Sequence, residues 1–181
     1  MDSQSNRSLQ IGNVCIQWSG LEYVLAVSIW IMLKLDIETG KIVTANLDAK
    51  QRATMAFALA NQINAPVSYR NAIKKVMVAL RDGLIDRRNV AVHGIHFTVS
   101  QPNSVGIEMH RGKGGRAIRI LENQEFHNLG NEISALTNEF ASAQSEYTKK
   151  LIPQLAAASK GLADLEAILR KTSLTNIEAD K

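Results

Sequence analysis

A cluster of polar and charged residues ends an otherwise apolar helical segment and carries the groups best suited to chemistry. The segment reads Leu84-Ile-Asp-Arg-Arg-Asn-Val-Ala-Val-His-Gly94. On a helical wheel Asp86 and His93 lie within about 20° of each other, and Asn89 falls close to the same line. Arg88 lies about 140° from His93, but an arginine is long enough to reach round the helix. These residues combine a proton carrier active near neutral pH with a permanent positive charge.

Glu22 interrupts the apolar stripe of the first predicted helix, so we expect its carboxylate to be buried. Leaving such a carboxylate unpaired costs roughly several kcal/mol. Arginine is the natural partner, because its guanidinium is always charged and its fork matches a carboxylate. We therefore expect Arg88 or Arg87 to pair with Glu22, and Arg81 if neither does.

The elements that position this cluster follow from apolar spacing and from capping signals. Apolar residues three and four positions apart predict long helices, and the second half of the first helix is apolar nearly all round, which calls for cover from its own bundle or from a second subunit. A capping box and the two glycines near the cluster set further bounds. The expectations are a first helix from about Leu9 to Leu35, a break at Gly40, a second helix opened by Asp48-Ala-Lys-Gln51 and ended before Pro66, and a third from about Val67 to His93, weakened at Gly83 and closed by Gly94.

Short runs rich in β-branched residues follow the third helix and predict a β-hairpin at about residues 95–121. Its strands are expected at Ile95–Val99 and Val105–Met109, with a third at Ala117–Leu121. A further helix pattern begins near Asn123, and Pro153 is expected to kink or end it. A last helix would then span residues 155–169, with a frayed tail from about residue 172.

The whole pattern predicts a mainly α protein: a bundle of four to five helices with a small β-hairpin inserted after the third helix, folded as one domain over residues 1–181. The 45% apolar and 21% charged composition excludes intrinsic disorder. The 5% aromatic content and three prolines speak against a sandwich of many short strands.

Cellular location is constrained by three features of the chain. The single cysteine, Cys15, excludes an internal disulfide or a cysteine-based metal cage and suits the cytoplasm; it is expected to be packed and inert. The polar N-terminus does not resemble a secretory signal. The uncharged stretch between Glu22 and Lys34 is shorter than the roughly 20 residues of a membrane span. We expect a cytoplasmic protein with no membrane partner.

Positive charge is concentrated in the middle of the chain, whose net formal charge is +4 overall. Between Ala65 and Ile120 basic residues far outnumber the acidic Asp82, Asp86 and Glu108. Such an excess attracts phosphate, although a solvated helix face and a basic loop explain it equally well. The candidate nucleic-acid-binding residues are Arg81, Arg111, Lys113, Arg116 and Arg119.

A metal site and a phosphate-binding loop are weaker candidates. His93 and His96 lie close in sequence, with His110 and Glu108 on the next strand, but the turn between the histidines leaves their geometry open. The loop from Arg111 to Arg116 matches neither glycine-rich phosphate-binding pattern. We expect no metal and no cofactor.

The stretch Arg88-Asn-Val-Ala-Val-His93 resembles the Arg-(x4–6)-His motif of the HEPN superfamily of helical RNA-associated domains. Trp18-Ser-Gly-Leu-Glu22 on the long first helix resembles a bacterial subgroup of that superfamily whose role is unassigned. The resemblance covers roughly residues 9–94 and leaves the hairpin and later helices unaccounted for.

This resemblance implies a helical homodimer whose two motifs face each other, often a metal-independent endoribonuclease of toxin–antitoxin or anti-phage defence. It assigns charge stabilisation at phosphorus to Arg88, proton transfer to His93, and orientation of a phosphate or of His93 to Asn89. Glu22, Asp86 and Arg87 would support them. RNA supplies its own nucleophile, so a proton carrier and a fixed cation suffice.

A competing interpretation keeps the same residues but gives them a structural role. Cations near the end of a helix stabilise its dipole, and an Arg–Glu–His network can hold a bundle together. The chain would then be a non-catalytic dimeric interaction module with an acidic partner. A metal-dependent hydrolase that uses the histidines is a third, weaker alternative.

Overall fold

The long first helix is the element against which the rest of the bundle packs. The computed structural model describes the backbone of residues 3–101, 103–111 and 115–179, and the side chains of residues 6–101, 103–109 and 117–153. The helices are α1 (Ser3–Leu33), α2 (Ile37–Thr44), α3 (Ala49–Gln62), α4 (Val67–Ala79), α5 (Ile85–His93) and α6 (Asn123–Ala179), and a kinked turn, Leu80–Leu84, joins α4 to α5. The mainly α prediction is confirmed.

Three antiparallel strands follow α5 in the order β1-β2-β3: β1 (Ile95–Thr98), β2 (Ser104–Arg111) and β3 (Gly115–Glu122). Ile95 lies opposite Glu108, and Val105 opposite Leu121. The predicted hairpin and its third strand are therefore confirmed. Side chains of Val105 and Ile107 are fully buried, which anchors the sheet to the helices.

The predicted break at Gly40 is wrong, because Gly40 lies inside α2. Helix α1 ends at Leu33, where Lys34 takes a left-handed backbone conformation with φ 56°, and the Asp36 carboxylate then caps α2 by accepting from the backbone of Glu38 and Thr39. Gly40 is buried against Trp30, and a Cβ atom there would lie 2.5 Å from the indole. The glycine permits this close approach.

The capping box that opens α3 is confirmed: the Asp48 side chain accepts from the Gln51 backbone while the Gln51 side chain accepts from the Asp48 backbone. The continuous third helix is wrong, because the backbone leaves helical geometry at Asp82 and Gly83. Gly83 has φ 106°, which glycine adopts without steric cost. Gly94 follows the last residue of α5, as predicted.

Contacts divide the chain into two compact units, Met1–Gln144 and Ser145–Lys181. The second unit is formed by the distal part of α6. The prediction of a separate last helix after Pro153 is wrong, since α6 continues through Pro153 to Ala179. Proline removes one backbone donor, and the three alanines from Ala156 favour helix again directly afterwards. The single domain and the frayed tail stay predictions.

The core of the first unit lies between α1 and the helices that surround it. Val14, Leu21, Leu25 and Ile29 of α1 are completely buried. By length and composition alone, Asn6–Leu33 of α1 would also be apolar enough to cross a membrane, with 44% of its most apolar window buried inside the protein. The burial of this stripe supports its interpretation as a core helix.

Candidate functional site

The end of α5 and the middle of α1 bring five of the singled-out residues together. Arg88 is half-buried and its Nη1 donates to Asn89 Oδ1 at 3.0 Å. The same Nη1 lies 2.8 Å from Nε2 of His93. Its guanidinium carbon stands 5.3 Å from the centroid of the Trp18 ring, within cation–π range. The reach of Arg88 round the helix thus brings arginine and histidine together within one chain.

His93 is exposed, so its ring is open to solvent and to a ligand. A guanidinium only donates hydrogen bonds, so the contact with Arg88 uses the lone pair of Nε2. Nε2 is therefore the acceptor in this contact, and it is the ring nitrogen that faces the guanidinium.

Trp18 is the platform for this group and is 5% exposed. Its Nε1 donates to Oε1 of Glu22 at 2.9 Å, a contact across one helical turn. From the sequence, Trp18 stood out only through the family resemblance, which gave no indication of this double role. The four-residue spacing of Trp18 and Glu22 was the available signal.

The predicted arginine partner of Glu22 is wrong. Arg88 is engaged with Asn89 and His93, while both Nη atoms of Arg87 donate to the carboxylate of Glu132 on α6, each at 2.7 Å. Glu22 is only half-buried, so solvent and the indole hydrogen bond replace the expected cation.

The fallback partner, Arg81, is exposed and pairs with its neighbour Asp82 at 2.8 Å. This pair raises the pKa of Arg81 and lowers the pKa of Asp82, in both cases chiefly through their hydrogen bond. Asp86 is exposed and makes no ion pair within the described side chains. Asp86 therefore shares a helix edge with the site without a demonstrated contact to it.

Arg87 is fixed by its two bonds to Glu132, which raise the pKa of its guanidinium. It also lines a cavity of about 300 Å³ between α5, β3 and α6, together with Arg119 and an apolar floor that includes Phe126. The exposed Arg119 thus faces the same cavity as Arg87. The side chains of Arg111 and Arg116, and all of Lys113, lie outside the described residues.

His96 does not join a metal site with His93. Its Nε2 bonds to the backbone oxygen of Ala91 at 3.1 Å, and its ring packs 5.9 Å from that of Phe126. The His110 side chain lies outside the described residues. Among the side chains that the structure describes, no group of three histidine, cysteine or acidic residues could hold a metal ion.

No protein-family model, no curated protein and no solved structure matches this chain.

Proposed function

We propose that this chain is a HEPN-like RNA-binding protein that cleaves RNA without a metal, as a homodimer, with Arg88, Asn89 and His93 as the reacting and orienting groups. The observation that carries the proposal is the 2.8 Å contact between Arg88 Nη1 and the Nε2 of an exposed histidine. A permanent cation and an imidazole at hydrogen-bond distance are groups that can support cleavage by an RNA 2′-hydroxyl.

In the proposed reaction His93 Nε2 takes the proton of the 2′-hydroxyl as its oxygen attacks the adjacent phosphorus. The new O2′–P bond forms while the P–O5′ bond breaks, and the leaving oxygen acquires a proton from an acid or from water. The products are a 2′,3′-cyclic phosphate and a 5′-hydroxyl. Negative charge accumulates on the phosphoryl oxygens in between, where a guanidinium stabilises it.

Arg88 must change partner during this reaction, because Nε2 of His93 cannot accept from both the guanidinium and the substrate. A phosphate offers Arg88 a charged acceptor in place of the imidazole, and such charge-assisted bonds are roughly twice as strong as neutral ones. The Trp18 face would keep the guanidinium in position while it changes partner. Asn89 would orient Arg88 through their 3.0 Å bond.

Further basic residues of the chain favour a polyanionic ligand. Arg119 is exposed, and the exposed Arg81 pairs only with its adjacent aspartate among the side chains that are described. With Arg111, Lys113 and Arg116 of the β2–β3 segment, these residues are proposed to bind the RNA backbone, which releases condensed counterions. Binding should therefore weaken as salt is raised.

Helix α1 offers a surface for the proposed homodimer. Leu9, Ile16 and Tyr23 lie seven residues apart, which is two helical turns, and are 65%, 69% and 62% exposed. Three apolar side chains on one helix face are suited to a matching helix from a second copy. Ile16→Glu should convert a dimer to a monomer in light scattering, whereas Ile42→Glu, at a 77% exposed position of α2, should not.

The cellular setting proposed with this activity is a cytoplasmic toxin or defence nuclease restrained by a partner. A basic RNA-binding surface is a natural target for an acidic antitoxin, because such a protein competes with RNA for the same cations. Co-expression with an acidic neighbouring gene product should then relieve toxicity of the active chain.

The decisive experiment incubates the purified chain with mixed RNA in excess chelator and analyses the new ends. Cleavage that leaves cyclic phosphates, lost in His93→Ala and Arg88→Ala but kept in His127→Ala and Arg70→Ala, supports the proposal. His127 is an exposed histidine of α6, and Arg70 an arginine of α4 that bonds to Asn61. Absence of cleavage by the folded wild-type protein, or equal loss in the controls, contradicts a nuclease.

A non-catalytic dimeric interaction module is the second candidate. It is favoured by the contacts that Arg88 already makes within the chain: its Nη1 contacts Asn89 and His93, and its guanidinium lies on a buried indole. In that case Arg88→Ala should lower the free energy of unfolding and dimer affinity, with no RNA cleavage in any variant. Thermal melts and light scattering of the same variants distinguish the two candidates.

A further inference from the structure

The outer face of the three-stranded sheet carries a group of large apolar side chains that are open to solvent. The register places these residues in two rows across the strands: Ile95, Glu108 and Ile118 in one row, and Phe97, Gly106 and Ile120 in the next. Successive residues of a strand point to opposite faces, so the buried Val105 and Ile107 belong to the inner face. Exposed apolar groups of this kind mark interaction surfaces. Neither the HEPN resemblance nor the proposed reaction uses this face.

Of the two strands at the edges of the sheet, β3 is the more open. Its Ile118 and Ile120 are 65% and 55% exposed, and Arg119 between them is exposed as well. In β1, Ile95 is 53% exposed, but the ring of Phe97 lies over the central strand and only 38% of this residue is exposed. Strand β1 also has four residues, whereas β3 has eight. An incoming polypeptide therefore finds its longest accessible edge at β3.

The far edge of the β3 backbone is not paired with any strand in the part of the chain that the structure describes, because the sheet has the order β1-β2-β3. Every residue of β3 from Gly115 to Glu122 has a partner in β2, so no bulge twists the strand away. An edge strand presents a row of unpaired N–H and C=O groups. Proteins protect such edges by shortness, proline, bulges or charge, and of these devices β3 has only charge.

The charge around this edge is positive. Residues 109–121 include four arginines and lysines and no aspartate or glutamate. Arg119 makes no ion pair with the side chains that the structure describes. Strand alternation places Arg119 on the inner face, opposite to Ile118 and Ile120, where it lines the cavity between β3, α5 and α6. A segment that lies along β3 therefore meets isoleucine on one face of the sheet and arginine on the other.

These two faces determine what would complement the edge. Side chains of an added strand alternate between the faces, so every second residue should be apolar, to lie beside Ile118 and Ile120, and the residues between them acidic, to meet Arg119. A second copy of β3 would bring further arginines, and like charges opposite each other in a sheet are destabilising. A lipid surface would have to accommodate the carboxylate of Glu108, which lies between Ile95 and Ile118 in the register.

We propose that β3 is the docking edge for an acidic partner protein, which adds an extended segment of alternating acidic and apolar residues to the sheet as a fourth strand. Backbone hydrogen bonds to β3 supply affinity in this mode of binding, and the alternating side chains supply specificity. The inference rests on the acidic partner of the proposed function, for which it names the surface and the bound conformation. It does not require that the chain cleaves RNA.

The test titrates the full chain into labelled synthetic peptides of about seven residues, the length of an ordinary strand, and follows fluorescence anisotropy. A peptide in which glutamate and valine alternate should bind with a Kd of about 1 mM or better. A peptide with the same residues in two blocks, and one with lysine in place of glutamate, should bind at least about tenfold more weakly. Equal binding of the block peptide, or no binding of the alternating one, overturns the proposal.

Substitutions locate the bound peptide. Ile118→Ser and Arg119→Glu should each weaken binding of the alternating peptide about tenfold, since each removes the complement to one face of the added strand. Ile37→Ser and Arg81→Glu are matched controls, because Ile37 is 62% exposed on α2 and Arg81 is an exposed arginine of the kinked turn. Equal weakening in the controls contradicts the β3 edge as the site.

Amide hydrogen exchange of the wild-type chain keeps the proposal testable if a variant fails to fold. The saturating alternating peptide should slow exchange in β3 and leave β1 unchanged, because a fourth strand bonds only to the far edge of β3. Unchanged exchange in β3 overturns the proposal. So does protection of β3 that rises with protein concentration alone, which identifies a second copy, or that needs phosphatidylserine vesicles instead of peptide, which identifies a lipid surface. RNA cleavage is measured separately at His93, so failure of the nuclease proposal is distinguishable.

Discussion

At the end of α5 the Arg88 guanidinium donates directly to Nε2 of His93, whereas at the start of α1 Arg7 and His96 share a cavity and His96 donates its Nε2 hydrogen to the Ala91 backbone. His93 is exposed and has its lone pair on the nitrogen that meets the arginine. His96 is half-buried and has its lone pair on the opposite nitrogen. The bonding of each ring, rather than the residue type, distinguishes His93, the proposed proton carrier, from His96, which is bonded to the backbone.

The largest expected difference is in RNA cleavage, between a variant that lacks His93 and one that lacks His96. His93→Ala should lower RNA cleavage by about 10²–10⁴-fold, the usual contribution of a general base. His96→Gln should leave the cleavage rate within about twofold. Gel-resolved cleavage under single-turnover conditions measures both; a comparable loss in the two variants would remove the functional distinction between the regions.

Gly94 joins α5, which carries His93, to β1, which carries His96. A substitution at Gly94 therefore tests how tightly the two regions are packed together. A Cβ atom at Gly94 would lie 2.1 Å from Ile107 Cγ2 and 2.7 Å from the Val90 carbonyl oxygen. Gly94→Ala should therefore destabilise the chain by about 1–3 kcal/mol in denaturant unfolding. Gly12→Ala is the control, since a Cβ atom there meets nothing within 4 Å. Equal stability of the two variants would contradict this close packing.

Trp18→Phe sharpens the description of the Arg88 site. The ring face remains for the guanidinium, but the hydrogen bond to Glu22 is lost, so the free energy of unfolding should fall by about 0.5–1.5 kcal/mol. Combining Trp18→Phe with Glu22→Ala in a double-mutant cycle isolates this bond, because each single change removes it. Strict additivity of the two changes would show that the bond contributes nothing.

The smallest effect should be a pH dependence specific to the His96 region. The pKa of His96 is lowered from its usual 6.5, mainly by burial, so the unfolded chain binds this proton more readily than the folded chain. The contribution to stability is complete above the usual pKa and is lost as pH falls below it toward the folded pKa. His96→Gln should flatten the pH profile of the melting temperature in this range; an unchanged slope would contradict it.

Local signals predicted the parts of the fold in which neighbouring residues determine the outcome. The Asp48–Gln51 capping box, the end of α5 before Gly94 and the start of α6 at Asn123 each depend on a few adjacent residues. The break at Gly83 was underestimated, since the same glycine fits a weak helix or a left-handed turn. Only the packing of the surrounding helices decides between them.

Tertiary contacts explain the failures. In the sequence, Gly40 indicates a helix break. In the structure it lies inside a helix, because the Trp30 ring packs so closely against it that no side chain would fit. Glu22 calls for an arginine only if it is fully buried, and its exposure to solvent was not contained in the apolar spacing. The candidate residues Arg88, Asn89 and His93 were correctly placed on one helix end, but the Trp18 contact and the Arg7–His96 cavity join segments too distant in sequence for any spacing rule.

The backbone is not helical at Asp82 and Gly83, so the direction in which side chains of α5 point is not fixed by the helical turn of α4. In an unbroken helix, one inserted residue in α4 would turn every later side chain by about 100° and swing Arg88 away from Trp18. We expect the non-helical pair to absorb such a change. Length variation in α4 should therefore be compatible with an intact Arg88–His93 arrangement, which makes this turn a practical place to recombine or graft the α5 segment.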